Sequence, residues 1–392
     1  MNIVIPLGVS AYNVIRYWAE DFGRVFREYG HLVYVWDVTK GDWPYGSVSA
    51  DVFFAPQGWG VWQEDDGSTT DYSKQILGRK TNMIHVHYFL DNPIYHIKRI
   101  FANIENRLAL YCDESYDEFV TQGLKTDITA GGFLPHPGIC YNHGKGEWPQ
   151  KDIDVLFTST ARAYGTQRKF NFLEQIDKKH KLNGKTVRLA NDIIDYLQAD
   201  KGYKGLWEGV CDVCKHQKIS VNDFTPAEIC MLSYAVDENL RNWKKGVLLD
   251  FAVKNQWKVH VYGPGWEDHP LSNKLFGKYP VDYLETIALN ARAKISINSN
   301  GNHTHGSHER VFNALLNGAI PLTEGSSYFE KELSGLFLTM SDGAKVDKLL
   351  TDNEYFEQMS RKAMAVAKKK HTLEKRAQKV LKYINDFRQY VN

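Results

Sequence analysis

The densest chemistry in the chain lies between Ile295 and Thr323, ISINSNGNHTHGSHERVFNALLNGAIPLT. An apolar strand ends at Asn298. The loop from Ser299 to Gly306 holds two glycines and several Asn residues, which tolerate unusual backbone angles. Ser307 is of a type that caps a helix, here one starting at His308. A helix start leaves N–H groups unpaired and carries partial positive charge, so the 306–310 N–H groups of Gly306, Ser307 and His308 suit a phosphate. Arg310 adds a fork of donors that matches phosphate oxygens. Asn313 falls on nearly the same helix side and offers an amide to a sugar hydroxyl or a base edge. Gly318 then stops the helix. Strand, loop and helix in this order fit a nucleoside diphosphate; the same residues also read as an ordinary helix connection whose polar groups cap the turn.

Other clusters compete. His303, His305 and His308 have imidazoles at a spacing that can ligate zinc, although such sites need further ligands and a second shell. Cys211 and Cys214, with His216 and Cys230, could hold a structural zinc or be a pair of core thiols. In the first half, His85, His87, Asp91 and His96 lie at or just beyond the end of a strand. Alternation puts His85 and His87 on one face with Phe89. A general base near an acceptor hydroxyl must titrate near working pH, and His87 or a desolvated Asp91 fits that need. The histidines also read as core residues, and Asp91-Asn92-Pro93 as a capped turn. Gly8 and Ser10 follow the first strand and could approach a ligand or simply make a tight turn.

The elements that must position these groups alternate. Strands are predicted at Asn2 to Leu7, Leu32 to Val38, Asp51 to Ala55, Met83 to Phe89 and Arg107 to Tyr111, with a helix from Asn13 to Tyr29 closed by Gly30. Pro135-His136-Pro137-Gly138 and the polar run from Tyr141 to Pro149 interrupt the pattern, giving a linker near 138–151. Strands resume at Val155 to Thr158, Trp257 to Tyr262, Lys294 to Asn298 and Ala319 to Thr323, with helices over 168–256, Tyr283 to Arg292 and His308 to Asn317. The tail from Glu354 is helical and rich in Lys. Strands separated by helices indicate parallel α/β sheets, which take ligands at the carboxyl ends of their strands. Two such halves place the default site in a cleft.

Composition narrows the function. The chain has 392 residues with 48 Lys and Arg against 47 Asp and Glu, a net charge of +1. That balance argues against a nucleic-acid partner, because no polyanion is attracted from a distance. No apolar run is long enough to span a bilayer. The apolar run at Ile3 to Leu7 lacks a basic leader and a cleavage site, so it reads as a strand. Five cysteines fit a reducing, cytoplasmic setting. Aromatic residues make up 13% of the chain; they suit sugar rings or simply fill a core.

The string GSHERVFNALLNGAIPLTE resembles the donor-binding signature of GT-B fold glycosyltransferases, and within them bacterial enzymes of the spore-maturation (CgeB-like) and family-1-like kinds. IDVLFTSTARAYGTQR (153–168), VHVYGPGW (259–266) and YPVDYLETIALNARAKISIN (279–298) stand in the expected order. The likeness covers roughly residues 151–345; before them only FLDNPIYH (89–96) and FLPHPG (133–138) are similar. It implies two Rossmann-like domains facing a cleft: an acceptor domain with linker over 1–150, a donor domain over 151–365, and a C-terminal helix, 366–392, returning to the first. It implies transfer of a hexosyl or related sugar from a nucleoside-diphosphate sugar, a UDP-sugar first of all, for glycan biosynthesis, with no metal or other cofactor. Arg310, Arg162, Gly263, Gly306, Ser307, His308 and Asn313 would hold the donor, with Arg168 and Lys169 in reserve for Arg162. Many retaining relatives carry a Glu-x7-Glu pair; His305 and Asn313 occupy those places here, which leaves the stereochemical outcome open. His305, His87 and Asp91 are the residues expected at the reacting centre. The acceptor is expected to be a glycan, a lipid-linked molecule or a protein, with weak membrane-surface contact through Lys368, Lys369 and Lys370 as one route to a lipid-linked one. A nucleotide-sugar epimerase on the same fold and a non-catalytic nucleotide-sugar or glycan binder are the alternatives.

Overall fold

The computed structural model describes residues 1–9, 13–126, 130–141, 150–161, 184–200 and 202–391. The chain divides into two compact units. One is formed by Met1–His136 and Leu373–Asn392, the other by Pro137–Thr372.

The first unit is built on a six-stranded parallel sheet. Its strands are β1 (Asn2–Leu7), β2 (Leu32–Asp37), β3 (Val52–Pro56), β6 (Ile84–Phe89), β7 (Arg107–Tyr111) and β8 (Ala130–Phe133), in the order β2-β1-β3-β6-β7-β8. A small antiparallel hairpin, β4 (Val61–Gln63) and β5 (Thr69–Asp71), follows β3. The inner strands are buried along nearly their whole length and mostly apolar, as strands covered on both faces are, with His85 and His87 inside β6 and Arg107 at the start of β7. Helix α1 (Val14–Glu28) buries Ile15, Trp18, Phe22, Val25 and Phe26, the stripe its spacing predicts. Phe22 and Phe26 pack on Phe54 of β3, with ring centroids 5.0 and 5.4 Å apart. Gly30, at φ 81°, ends the helix turn where a side chain would be strained.

The C-terminal helix α10 (Leu373–Val391) belongs to this unit and packs on α1. Arg376 Nε donates to Pro135 O over 2.6 Å, and the Tyr383 hydroxyl to Phe133 O over 3.0 Å. Residues 366–370, predicted as part of this final segment, instead continue α9 (Asn353–Lys370) in the second unit. Lys368, Lys369 and Lys370 form its last turn, where positive charge complements the helix dipole.

The second unit holds a five-stranded parallel sheet, β9 (Ile153–Thr158), β10 (Val259–Tyr262), β11 (Phe276–Tyr279), β12 (Ala293–Ile297) and β13 (Ile320–Leu322), in the order β11-β10-β9-β12-β13. The β9–β10 connection carries helices α2 (Gly184–Ala199), α3 (Leu206–His216) and α4 (Pro226–Lys254). Thr225 caps α4 and Glu228 answers it, a reciprocal capping box that fixes where this 29-residue helix starts. Helix α5 (Tyr283–Arg292) follows β11, and α6 (Glu309–Leu316) joins β12 to β13. Helix α6 is buried from Val311 to Leu316 and drives Phe312 and Leu315 into the same core as Val155, Phe157, Ile295 and Ile297. A short α7 (Ser327–Glu332) and α8 (Gly343–Thr351) precede α9. Among the described residues no helix is long and apolar enough to cross a membrane.

Candidate active site

In the second unit the chain leaves β9 for β10 on one side and returns to β12 on the other. The carboxyl ends of β9 and β12 therefore flank a topological switch point, where open parallel sheets bind ligands. Thr158 is the last residue of β9, and Asn298 follows β12. Arg310, in the first turn of α6, donates from Nη1 to Thr158 O over 2.9 Å. Its guanidinium is thus fixed at the switch point.

The loop between β12 and α6 is fixed as firmly. Asn300 N–H donates to Glu324 Oε1 over 3.0 Å and the Ser299 hydroxyl to the same oxygen over 3.2 Å. His308 N–H donates to Asn300 Oδ1 over 2.8 Å. From α4, Lys244 Nζ donates to Gly301 O and Asn302 Oδ1, each at 3.0 Å, and Asn302 Nδ2 donates to Asp237 Oδ1 over 2.7 Å. The Ser326 hydroxyl donates to Gly306 O over 2.8 Å. Groups held this way need little reorganisation when a ligand arrives.

The helix start differs from the expectation. His308, not Ser307, is the cap residue of α6, at φ −104° and ψ 144°, and Ser307 is fully buried. His308 Nδ1 lies 2.6 Å from Glu309 Oε2 and 3.5 Å from the Arg310 backbone nitrogen that it caps. Nε2 lies 3.1 Å from Arg310 Nη2. Glu309 so brings a carboxylate to the helix start, and His308 engages it. His305 is held by two neighbours, with Nδ1 2.9 Å from the Ser327 hydroxyl and Nε2 3.3 Å from Glu208 Oε2. His303 is buried and packs against the His308 ring.

Asn313 has a different employment from the predicted one. It is buried, Oδ1 accepts from the Ile139 N–H over 2.8 Å, and Nδ2 lies 3.4 Å from the Tyr283 hydroxyl. The amide binds the segment after Pro137 to α6. Gly263 also acts on the backbone: at φ 137° a Cβ there would sit 2.3 Å from Ser159 O. Its bare backbone lets the loops after β9 and β10 meet. Arg162, Arg168, Lys169 and Ser10 lie outside the described residues.

In the first unit His87 is buried within β6, and neither ring nitrogen has a hydrogen-bond partner. Burial holds its pKa well below the ordinary value, with Arg107 adding to the effect. His87 is a neutral core side chain with no reach to a substrate hydroxyl, which removes the geometric basis for its predicted role as a base. His85 is similar, pushed down to about 4 by burial. Asp91 is half-buried beyond the carboxyl end of β6 and accepts from Gln57 Nε2 over 3.1 Å. Gly8 lies against the Trp59 indole, where a Cβ would come within 1.9 Å of the ring.

Sequence reasoning missed Glu324 and Lys244. Glu324 lies deep beside the β12–α6 loop; burial raises its pKa, and the Lys244 ammonium opposes the rise. A lone Glu just past a strand gave no signal, and Lys244 was hidden within a long helix. Cys214 on α3 and Cys230 on α4 are thiols whose pKa burial raises, the latter to about 12. Among the described residues no three His, Cys, Asp or Glu side chains converge as a metal site requires.

Comparison with known proteins bears on the fold. Residues 244–382 match a family model described as glycosyl transferase-like. No curated sequence matches the chain. An α-glucosyltransferase in complex with UDP-glucose and DNA containing an abasic site is similar at 11% identity, with 98% of both chains covered and a TM-score of 0.51. An α-glucosyltransferase in complex with UDP and a 13-mer DNA is similar at 9% identity, covering 98% of this chain and 100% of the other, with a TM-score of 0.52. The fold is therefore that of GT-B glycosyltransferases, two Rossmann-like units, and residues 244–382 are similar to a glycosyl transferase-like domain.

Proposed function

We propose that the protein is a metal-independent glycosyltransferase that moves a sugar from a nucleoside-diphosphate sugar, a UDP-sugar first among them, to an acceptor hydroxyl or nitrogen. The observation that carries this reading is the Arg310 guanidinium fixed at the β9/β12 switch point by Thr158. A diphosphate there meets a positive fork and the start of α6. As the bond to the anomeric carbon breaks, charge grows on the leaving diphosphate, and fixed donors stabilise it most when already aimed. Arg162 would add a second positive group to the same diphosphate. His305, tied to Ser327 and Glu208, would orient the transferred sugar.

The first unit would hold the acceptor, with Asp91 as the base that takes its proton. A glycan, lipid-linked molecule or protein acceptor fits better than nucleic acid, because the net charge of +1 supplies no attraction to a polyanion. The CgeB-like subtype and a cytoplasmic setting belong to the same reading.

The test is release of nucleoside diphosphate from a panel of UDP-, GDP-, ADP- and dTDP-sugars, with and without EDTA, against mixed glycan acceptors. Acceptor-dependent release that survives EDTA and is lost in Arg310→Ala supports the proposal. Conversion of the donor sugar without acceptor would identify an epimerase, and binding without turnover a non-catalytic protein.

A further inference from the structure

The β9–β10 connection creates a second feature that the donor reading does not use. Helices α2 to α4 and the loops after β12 and β13 enclose a cavity of about 310 Å³. This is the low end of the range, about 300–1,000 Å³, that holds small ligands. Leu240, Trp243 and Met340 give it apolar walls, while Tyr203, Lys244, Thr304 and Glu324 bring polar groups to it. None of Thr158, Asn298, Gly263 or Arg310 lines it.

Glu324 is the polar centre. Its Oε1 accepts from Ser299 and Asn300, and its Oε2 from the Thr323 hydroxyl at 3.3 Å. These bonds fix the carboxyl of a residue that lines the cavity and is only partly buried. Each carboxylate oxygen has two lone-pair directions, so acceptor capacity remains for a ligand. Lys244 stands beside it, held by Gly301 O and Asn302 Oδ1. Over Gly325 the Tyr203 ring closes so tightly that a Cβ there would lie 2.7 Å from the Tyr203 oxygen, and that hydroxyl donates to Glu330 over 2.9 Å.

Ligand chemistry follows from what such a cavity would leave unmet. A hydrocarbon chain would set apolar atoms against the Glu324 carboxyl and leave its remaining acceptor direction unmet. An anion would face Glu324 itself. A neutral polyol meets both demands: its hydroxyls donate to the carboxylate, and its C–H face covers the indole of Trp243, an apolar surface with a polar edge.

We propose that this cavity is a monosaccharide-binding site, separate from the donor-diphosphate crevice, in which Glu324 reads sugar hydroxyls and Trp243 packs against the ring.

The experiment is saturation-transfer NMR of the full chain with methyl α-glucoside, methyl α-mannoside, N-acetylglucosamine and N-acetylgalactosamine, at concentrations on the order of 10 mM. At least one is expected to bind saturably. Glu324→Gln and Trp243→Ala are each expected to weaken it about tenfold or more, and Trp243→Ala is expected to leave UDP binding unchanged. No saturable binding of any of the four overturns the proposal. So does binding equal in wild type and both variants, or binding abolished only by Arg310→Ala, which would place the sugar at the crevice. UDP titrated in parallel reports on the donor site alone, so failure of the donor reading leaves this result interpretable.

Discussion

Arg310 Nη1 donates to the carbonyl of Thr158 over 2.9 Å, joining the first turn of α6 to the last residue of β9. These residues are 152 positions apart in sequence; Thr158 ends β9, one strand at the switch point, and α6 follows β12, the other. The bond does two things. It gives a carbonyl at a strand end a charged donor, and it sets the direction of the remaining guanidinium N–H groups. A Lys would keep the charge but not the fork, so Arg to Lys is not conservative at this position.

Asn313 is expected to act on stability rather than on donor affinity. Asn313→Ala would leave the Ile139 N–H without its acceptor in a buried place, which costs about 1–3 kcal/mol. Urea unfolding should show that loss while UDP affinity stays within about twofold. A large loss of affinity with unchanged stability would restore the donor-contact role expected from the sequence.

Gly263→Ala is expected to destabilise the second unit by about 3 kcal/mol, because a Cβ at φ 137° meets Ser159 O at 2.3 Å and the backbone must shift. A thermal melt would show a drop of several degrees. Gly30→Ala serves as a control for φ alone, since its Cβ would meet nothing within 4 Å.

The buried histidines of β6 set an acid limit on the first unit. An imidazole free in the unfolded chain binds a proton below about 6.5. His87 and His85 have lowered folded values, the latter about 4, so the unfolded state binds more protons between those limits. Their stability contribution is therefore complete above about pH 6.5 and is lost as pH falls toward 4, at up to about 1.4 kcal/mol per pH unit for each group. His87→Phe should flatten the urea-midpoint profile between pH 6.5 and about 4.5 by one proton. It should leave turnover at neutral pH nearly unchanged, which a general base could not do.

Much of the architecture was legible because it rests on local pattern. The stripe of α1, the run of β6 and helix α5 at Tyr283–Arg292 appear where apolar spacing and capping residues predict them. The hairpin β4–β5 and the edge strands β8 and β11 were missed: they are short, and β8 and β11 contain glycines, so neither alternation nor an apolar run marks them. At the site, the order strand, loop, helix was readable, and so was Arg310 as the charged group in it. The duties of Asn313 and Gly263 were not, because each depends on a partner far away in sequence, Ile139 and Ser159. The burial of His87 was not legible either. A histidine in a strand looks the same in sequence whether it lies at the open end of the sheet or in its interior.

The most direct test is calorimetric titration of UDP into the wild-type protein and Arg310→Ala, with EDTA present throughout. Saturable binding by the wild type, weakened at least about tenfold in Arg310→Ala while the melting midpoint without ligand changes little, is the predicted result. Equal affinity in the two proteins, or no binding of UDP or any other nucleoside diphosphate by the wild type, would contradict the assignment of the donor diphosphate to the β9/β12 switch point.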